Sequence, residues 1–539
     1  MRAAQDVNSL PLSPLYRLQE YISPAFKKGY MKNQITLTGE TLTIEDVVAV
    51  ARNNAKVVIP KKVIERIQKN WDAIAYMLER GDVMYGLNTG IGGFGDIKIS
   101  KDKAGDLSTR MLRAHSSGYG NPVNVETARA TLLLRLNVFA KGYSGLRPKL
   151  FLTFVEMLNR RVTPLFYEKG SVGTSGDLAP LSQMGLVVIG EGKAYYKGEI
   201  LSGDVAMKRA GIAPVPLAYR EGLAIMNGSQ FMTAIAALNI YDAERLIKQT
   251  EIVCSMTIDV LNCVESAYSK EYNEVRPFKG QNITASNIRA LLSGSDLLKQ
   301  PKKSVQNAYS LRSVPQVVGA IRDAIDYIRP ITEIEMNAVA DNPIFFTKEK
   351  VCRTGANFHG APIGYTQDLL GIVITDMGNI SERQTNNLMD PACSKDLPAF
   401  LVTSAGLDSG LMISQYTQAA LVSENKILAS PASVDSIPVS GNQEDHVSFG
   451  TIAARKAREI IRNTEAVVAI QLLATCQAYE FRKPIKPSPT FQAVYKLVRS
   501  VSSAITEDRA FYKDIENLVP LIRTFKVLDT AEKTIGKLK

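Results

Sequence analysis

One long segment, residues 230–276, contains neither glycine nor proline. In a helix interior glycine costs about 1 kcal/mol and proline about 3 kcal/mol relative to alanine, so both residues usually mark helix ends. The segment therefore predicts one very long helix or two joined helices, and the fold must accommodate them. Residues 364–390, 410–429 and 443–482 are further long helical candidates, bounded by prolines.

The apolar residues of these candidate helices indicate how they pack. Leu369, Val373, Met377 and Ile380 form one stripe at helical spacing. Residues 467–478 are apolar on most sides, which is typical of a helix inside a bundle. We therefore predict a mostly α fold with a long central helical bundle and a smaller mixed N-terminal part that carries the glycine-rich loops.

The N-terminal part combines several short elements. We predict a strand pair around residues 39–40, helices at residues 44–55, 62–80 and 127–141, and a functional loop at residues 85–95. No repeat period or low-complexity linker divides the chain. The predicted organisation is an N-terminal arm at residues 1–34 and a single domain at residues 35–539, with its helical core at about 228–482.

The composition argues against several classes of protein. The chain has 539 residues, 45% of them hydrophobic. It lacks an uninterrupted apolar run of the ~18 residues that suggest a membrane helix, and it lacks a secretory signal pattern. We therefore expect a soluble, cytoplasmic protein with no membrane partner. Five cysteines without a C-x-x-C pair indicate reduced core residues, and three dispersed histidines indicate no metal site.

The chain is basic, because lysine and arginine exceed aspartate and glutamate by 64 − 53 = 11. Such an excess fits an anionic polymer as a partner, or a surface that attracts carboxylate substrates. Aromatic and basic residues do not interleave as in an RNA-binding sheet, so we expect no nucleic-acid partner. A non-catalytic basic helical scaffold that binds an acidic polymer is the alternative from another class.

Residues 168–181, EKGSVGTSGDLAPL, combine three glycines with small hydroxyl residues. Asp177 and Pro180 fit a helix cap and a first helical turn, so the plain interpretation is a loop that enters a helix. A phosphate-binding loop is disfavoured, because the pattern G-x-x-x-x-G-K-[ST] is absent.

The same residues support a chemical interpretation. The nitrogen of Gly176 can close a five-membered ring on the carbonyl of Thr174, and loss of two waters then leaves an electrophilic alkene at Ser175. Residues 170–181 closely resemble the signature of the aromatic amino acid ammonia-lyases, which include histidine ammonia-lyase. The resemblance implies a methylidene-imidazolone (MIO) group formed autocatalytically from residues 174–176, with no external cofactor. Threonine stands at position 174, where the family usually has alanine.

Other segments resemble the same family, over roughly residues 35–480. Tyr85, in YGLNTG, is similar to the tyrosine that takes the substrate β-proton. His115, in MLRAHSSG, is similar to a substrate-selecting residue, although Ala114 replaces the usual serine of histidine-specific members. Asn227 matches the asparagine beside the prosthetic group. Taken alone, Tyr85 and His115 are also compatible with core packing, and Asn227 with a helix cap.

Residues 306–312, QNAYSLR, resemble the segment that holds the substrate. The resemblance implies that Arg312 binds the α-carboxylate bidentately, with Tyr309 near the amino group and Gln306 assisting. It also implies that Phe358, in GANFHG, packs on the prosthetic group. A surface ion pair is the plain alternative for Arg312.

Glu444, in SGNQEDHVS, stands where family members acting on tyrosine or phenylalanine generally have glutamine and histidine ammonia-lyases have glutamate. An imidazole offers an N–H or a positive charge to this carboxylate, whereas a phenyl ring leaves it buried and unpaired. Met412 matches another histidine-type pocket residue, although a lone methionine on a helix is more often part of the core. Residues 91–94 and 391–393 depart from the usual histidase pattern.

The resemblance therefore implies a carbon–nitrogen lyase that removes ammonia from an aromatic L-amino acid, with L-histidine to urocanate the favoured reaction. A tyrosine or phenylalanine ammonia-lyase and an MIO-dependent aminomutase stay open. The family also implies a homotetramer with shared active sites, and an amino acid as the small-molecule partner.

Overall fold

The computed structural model describes residues 32–539, and helices account for most of them. The α-helices are α1 (Ile44–Asn53), α2 (Lys61–Arg80), α3 (Ala104–His115), α4 (Val125–Ala140), α5 (Pro148–Asn159), α6 (Leu178–Val188), α7 (Gly203–Arg209), α8 (Glu221–Met226), α9 (Gln230–Val260), α10 (Lys270–Glu274), α11 (Lys279–Leu292), α12 (Tyr309–Arg312), α13 (Val314–Met336), α14 (Ala361–Met389), α15 (Pro391–Ser394), α16 (Met412–Leu428), α17 (Gly450–Glu480), α18 (Pro489–Arg499), α19 (Tyr512–Arg523) and α20 (Lys526–Ile535). The strands are β1 (Gln34–Thr36), β2 (Lys56–Val58), β3 (Tyr119–Pro122), β4 (Thr163–Leu165), β5 (Tyr167–Lys169), β6 (Lys193–Tyr196), β7 (Glu199–Ser202), β8 (Ile344–Phe346) and β9 (Val351–Arg353). The mostly α class is confirmed.

The centre of the molecule is a bundle in which α9, α13, α14 and α17 pack against one another. Residues 467–478 of α17 are buried throughout, as their all-round apolar character predicts. Each large apolar side chain buried in such a core contributes about 1.5–3 kcal/mol. The bundle is therefore a rigid frame, and the loops at its ends carry the polar residues of interest.

Two predicted helices are longer than the observed ones. α9 ends at Val260, and Asn262 follows in the left-handed region with φ 50°. The Asn262 side-chain amide donates hydrogen bonds of 3.1 Å and 3.0 Å to the carbonyls of Gln300 and Pro301. α17 begins at Gly450, because Val439 and Glu444 pair across a turn that occupies part of the predicted helix. Contacts with distant residues thus accompany the end of α9, whereas a local turn delays the start of α17.

The remaining helix predictions are confirmed to within a few residues. They correspond to α1, α2, α4, α14 and α16. Gly81 ends α2 with φ 91°, a conformation that glycine adopts without strain.

The predicted strand pair around residues 39–40 is wrong. β1 instead pairs in parallel with β2, and α1 lies between the two strands in the chain. The side chain of Asn337 holds both the N–H and the carbonyl of Leu42, at 2.9 Å and 2.8 Å. The backbone of Leu42, after the predicted turn, is thus bonded to a side chain at the end of α13 and not to a neighbouring strand.

The five cysteines are all free, but they are not all core residues as predicted. Cys254, Cys263 and Cys476 are buried, whereas Cys352 is half-buried and Cys393 is exposed. Cys393 lies in the short helix α15 at the end of α14, where the chain leaves the bundle.

Within residues 32–539, no helix is both long enough and apolar enough to cross a membrane. The same residues contain no group of three or more histidine, cysteine, aspartate or glutamate side chains placed to hold a metal ion. The predicted arm at residues 1–34 lies almost entirely outside the described residues, so the division into arm and domain stays a prediction. The cytoplasmic location also stays a prediction.

Candidate active site

The loop of residues 171–177 is fixed to the junction between α8 and α9. Gly176 forms a bridge with Gly228, and the N–H of Asp177 donates to the Gly228 carbonyl at 2.7 Å. Gly176 has φ +72°, and a Cβ there would lie 2.1 Å from the Gly228 oxygen. Only glycine fits this position, because the backbone needs both the left-handed conformation and the close approach.

Ser175 lies between a donor and an acceptor. Its Oγ donates to Oε1 of Glu444 at 2.6 Å, and its carbonyl accepts a 2.8 Å hydrogen bond from Nδ2 of Asn227. Asn227 ends α8, and its side chain binds this loop instead of capping the helix. The structure therefore brings together three of the residues predicted from sequence.

Helix N-termini converge on the same loop. The N–H of Gly360, before α14, donates to Gly173 O at 3.0 Å, and the N–H of Phe449, before α17, donates to Val172 O at 2.9 Å. Ser448 Oγ adds a 2.7 Å hydrogen bond to Gly173 O. Because α6 and α9 also begin beside the loop, four helix N-termini direct partial positive charge toward it.

Asp177 occupies the N-cap position of α6, as predicted, but its carboxylate does not cap that helix. It accepts hydrogen bonds from Ser171 Oγ at 2.8 Å and from the Met232 N–H, in the first turn of α9, at 2.9 Å. Thr451 Oγ1 also donates to it. Burial raises the pKa of Asp177, and these donors oppose the shift. The carboxylate thus joins α6, α9 and α17 beneath Ser175.

Tyr85 lies in the glycine-rich loop beside the Glu444 turn. Its Oη accepts a 2.7 Å hydrogen bond from the Gly92 N–H, and a Cβ on Gly92 would lie 2.9 Å from Ser440 Oγ. Burial raises the pKa of Tyr85, the Gly92 N–H lowers it, the charge of Glu444 raises it and that of Arg220 lowers it. Burial has the largest effect, so the pKa of Tyr85 lies above its ordinary value.

A tight turn presents Glu444. The backbone of Val439 and Glu444 pairs as an isolated antiparallel bridge, and Ser440, Gly441 and Asn442 between them all have positive φ. Glu444 is half-buried, whereas the neighbouring Asp445 is exposed. The turn therefore directs one carboxylate toward Ser175 and leaves the next one in solvent.

His115 and Phe358 lie at the border of the site. His115, at the end of α3, donates from Nδ1 to Met111 O at 2.8 Å and is half-buried. Gly118 follows closely, and a Cβ on Gly170 would lie 3.1 Å from its Cα, so this segment adjoins the loop. Phe358 is half-buried two residues before Gly360, which binds the loop directly.

The predicted carboxylate-binding group lies far from Ser175 in the same chain. Gln384 and Asn387, near the end of α14, donate to Ser310 of α12 at 2.7 Å and 3.1 Å. The 384 − 361 = 23 residues from the start of α14 rise about 1.5 Å each, so about 35 Å separates α12 from the Ser175 loop. Arg312 lies over the Tyr309 ring, 4.4 Å from its centroid, and donates to the exposed Gln306.

Met412 lies at the same distant end. It begins α16, and Gln415, one turn later, donates to Asn386 of α14 at 3.0 Å. The predicted site residues thus form two groups. The first group consists of residues 174–176 in the loop, with Tyr85, His115, Asn227, Phe358 and Glu444 around them. The second group lies at the opposite end of the bundle and consists of Gln306, Tyr309, Arg312 and Met412.

The sequence interpretation missed a buried ionic cluster behind the site. Arg135 of α4 and Arg220, just before α8, both bind Asp341, with N–O distances of 3.2 Å and 2.7 Å. Arg135 also donates to the Asn227 carbonyl at 3.0 Å. One signal was available, because Arg135 is a charged residue within the otherwise apolar stretch of residues 132–136.

Comparisons with known proteins identify the family of the chain. The family model described as aromatic amino acid lyase matches residues 42–500. The chain is 46% identical over 495 residues to the histidine ammonia-lyase of Caldanaerobacter subterraneus subsp. tengcongensis, covering 92% of this chain and 97% of that relative. The crystal structure of histidine ammonia-lyase from Trypanosoma cruzi is similar with a TM-score of 0.86 and 35% identity, covering 93% and 96% of the two chains. Tyrosine aminomutase from Streptomyces globisporus is similar with a TM-score of 0.90 and 35% identity, covering 94% and 100%. The chain belongs to the aromatic amino acid lyase family.

Proposed function

We propose that this protein is a histidine ammonia-lyase, a carbon–nitrogen lyase that converts L-histidine to urocanate and ammonia. The observation that carries the proposal is the Glu444 carboxylate, 2.6 Å from Ser175 Oγ. A carboxylate at this place can pair with an imidazole N–H or an imidazolium, and a phenyl ring would leave it without a partner. The relatives named histidine ammonia-lyase, 42–46% identical over more than nine-tenths of the chain, support the same substrate.

We propose that residues 174–176 form the MIO group. The backbone fits such a ring: Gly176 has φ +72°, and Asn227 Nδ2 already donates to Ser175 O, which would become the ring carbonyl. Ring closure joins Gly176 N to the Thr174 carbonyl carbon and releases two waters, one with the Thr174 carbonyl oxygen and one with Ser175 Oγ. When formed, the group supplies an electrophile for the substrate amine.

Ring formation would also free the Glu444 carboxylate from its hydrogen bond to Ser175. In the uncyclised chain its Oε1 accepts from Ser175 Oγ. Loss of that oxygen as water removes the donor and leaves the carboxylate facing the substrate space. The imidazole N–H of histidine can then take the place of the lost hydroxyl donor.

Tyr85 is the proposed base, which takes the substrate β-proton at its Oη. The phenol must first lose its own proton, and burial together with Glu444 opposes this. The Gly92 N–H and the charge of Arg220 favour the phenolate. Phe358 and His115, at the border of the site, would contact the substrate or the ring and exclude water.

Arg312 is the proposed clamp for the substrate α-carboxylate, with Gln306 and Tyr309 beside it and Met412 nearby. A guanidinium binds a carboxylate through two parallel hydrogen bonds, which lysine cannot reproduce. Because about 35 Å separates this group from Ser175 within one chain, the clamp must come from a second copy. We therefore propose the homotetramer with shared active sites that the family resemblance implies. Tyr309 is 73% exposed in the single chain, which agrees with a partner surface there.

The proposal is tested by offering L-histidine, L-tyrosine and L-phenylalanine separately while following released ammonia and the absorbance of the conjugated product. We expect turnover of histidine and little turnover of the other two. Turnover of tyrosine without histidine would contradict the assignment of Glu444. A β-amino acid product would instead identify an aminomutase, the reaction named for one of the similar structures.

A further inference from the structure

The ionic cluster behind the site carries an unbalanced charge. Arg135, Arg220 and Asp341 are each at most 1% exposed as side chains. Asp341 Oδ2 lies 3.2 Å from Arg135 Nη2, and Oδ1 lies 2.7 Å from Arg220 Nη2. Within residues 32–539, no other carboxylate lies within ion-pair distance of either arginine. Two guanidinium groups therefore share one carboxylate, and the cluster has a net charge of about +1.

Neutral carbonyl oxygens, not further anions, complete the hydrogen bonding of both arginines. Arg220 donates to Ser144 O at 2.9 Å, Asn342 O at 3.0 Å and Pro343 O at 3.2 Å. Arg135 donates to Gln230 Oε1 at 2.7 Å and Ala340 O at 3.1 Å. Burial lowers the pKa of Arg135 to about 10, so it stays charged at neutral pH.

Stability alone does not account for this arrangement. Apolar residues of similar volume often replace buried ion pairs without loss of stability, and an excess buried charge is costlier still. Strongly desolvated charges are concentrated at functional sites, so the position of the cluster is informative.

The cluster contacts the site through two short paths. Arg135 Nη2 donates to Asn227 O at 3.0 Å, and Asn227 Nδ2 donates to Ser175 O at 2.8 Å. Arg220 immediately precedes α8, and Leu223 of α8 packs on Gly86, the residue after Tyr85. A Cβ on Gly86 would lie 2.2 Å from Leu223 Cδ2. The positive charge is thus held behind both the ring-forming loop and the proposed base.

We propose that the Arg135–Asp341–Arg220 cluster is a buried cationic unit that favours the phenolate form of Tyr85, with Arg220 and Asp341 as positioning residues of opposite effect. The inference rests on the proposed function, in which Tyr85 is the base. The charged groups that shift the pKa of Tyr85 are Glu444, from the turn at residues 439–444, which raises it, and Arg220, from the segment before α8, which lowers it. The positive charge of Arg220 offsets the negative charge of Glu444, and Asp341 reduces that effect.

The test uses substitutions whose charge effects have opposite signs. Arg220→Gln removes a positive charge and Arg220→Lys keeps it, although both lose the forked hydrogen bonds. Asp341→Asn removes the only carboxylate in the cluster at nearly constant shape. The ultraviolet absorbance of tyrosinate is followed against pH in each full-length variant and in the same variant carrying Tyr85→Phe. Subtracting the second curve from the first gives the titration of Tyr85.

We expect the Tyr85 titration to move to higher pH in Arg220→Gln, to lower pH in Asp341→Asn, and to stay close to the parent protein in Arg220→Lys. For the loss of a unit charge from a buried cluster, a displacement of at least about half a pH unit is expected. The limb of the kcat/KM pH profile that reports Tyr85 should move in the same directions. A loss of packing would not displace the titration in opposite directions.

Displacement in the same direction for Arg220→Gln and Asp341→Asn, or no displacement in both, would overturn the inference. If Arg220→Gln does not fold, the inference is tested by the Tyr85 titration of Asp341→Asn compared with that of the parent protein. If Asp341→Asn does not fold, it is tested by the titrations of Arg220→Gln and Arg220→Lys. The titration needs no turnover. Opposite displacements in a protein that does not act on histidine would therefore reject the proposed function alone, and normal turnover without displacement would reject this inference alone.

Discussion

The carboxylate of Asp177 accepts a 2.9 Å hydrogen bond from the backbone N–H of Met232. Asp177 immediately precedes α6, yet it satisfies an N–H in the first turn of α9. The contact joins the ring-forming loop to the longest helices of the bundle, because Thr451 of α17 donates to the same carboxylate. The loop conformation is therefore set by the bundle and not by α6.

Asp177→Asn is expected to destabilise the protein by about 1–3 kcal/mol, because the new NH₂ group faces donors in a buried site. Denaturant unfolding in a Ser175→Ala background separates this effect from ring formation. Asp106→Asn is a matched control, since that side chain is 74% exposed in the first turn of α3. Equal stability of the two variants would show that the Asp177 contacts contribute little.

Glu444→Gln is expected to lower kcat/KM for histidine by about 100-fold, because the carboxylate partner of the imidazole is lost. The MIO mass deficit should persist, since ring closure uses residues 174–176. Asp445→Asn makes the same charge change one residue away on an exposed side chain and should leave kcat/KM unchanged. An equal loss in both variants would contradict a specific role for Glu444.

Shared active sites predict complementation between inactive variants. Ser175→Ala and Arg312→Ala proteins should each be inactive, because each destroys one of the two groups that lie about 35 Å apart in one chain. Co-expression with different affinity tags, followed by purification through both, should restore part of the activity. Mixed oligomers that remain inactive would show that both groups act within one chain.

Thr174→Ala is expected to retain a mass two waters below the encoded value, because ring closure uses the carbonyl and not the side chain. Thr174 Oγ1 is buried and has no hydrogen-bond partner within residues 32–539, so stability should change by no more than about 1 kcal/mol. Gly176→Ala is the contrasting variant. Its Cβ would lie 2.1 Å from Gly228 O, and full encoded mass is expected.

Asp259 predicts a pH dependence of stability. It accepts a 2.9 Å hydrogen bond from the Ser488 N–H, and burial raises its pKa from 3.8 to about 6. The folded state therefore binds the proton more tightly than the unfolded state. The resulting stabilisation is present below about pH 4 and disappears as the pH rises through about 6, a change of about 3 kcal/mol.

The measurement is the free energy of unfolding of the parent protein minus that of Asp259→Asn, taken from pH 4 to pH 7. Other carboxylates contribute equally to both proteins and cancel. The difference should fall with increasing pH. A constant difference would show that Asp259 has the same proton affinity in the folded and unfolded states.

Local patterns in the sequence determined much of the fold and the chemistry. Apolar spacing and the positions of glycine and proline predicted α1, α2, α4, α14 and α16, because helix formation depends on neighbours within one or two turns. The motif at residues 170–181 predicted the ring-forming loop, because its glycines and its serine must be consecutive for the ring to close.

Only the tertiary structure decided which distant groups meet. Asp177 binds α9, Arg135 and Arg220 share Asp341, and Arg312 lies about 35 Å from Ser175 in one chain. These contacts join residues that are far apart in the chain, and no local period encodes them. A buried polar group can pair with any suitable partner that the packed helices bring within hydrogen-bond distance. Its partner is therefore determined by the assembled bundle and not by the local sequence.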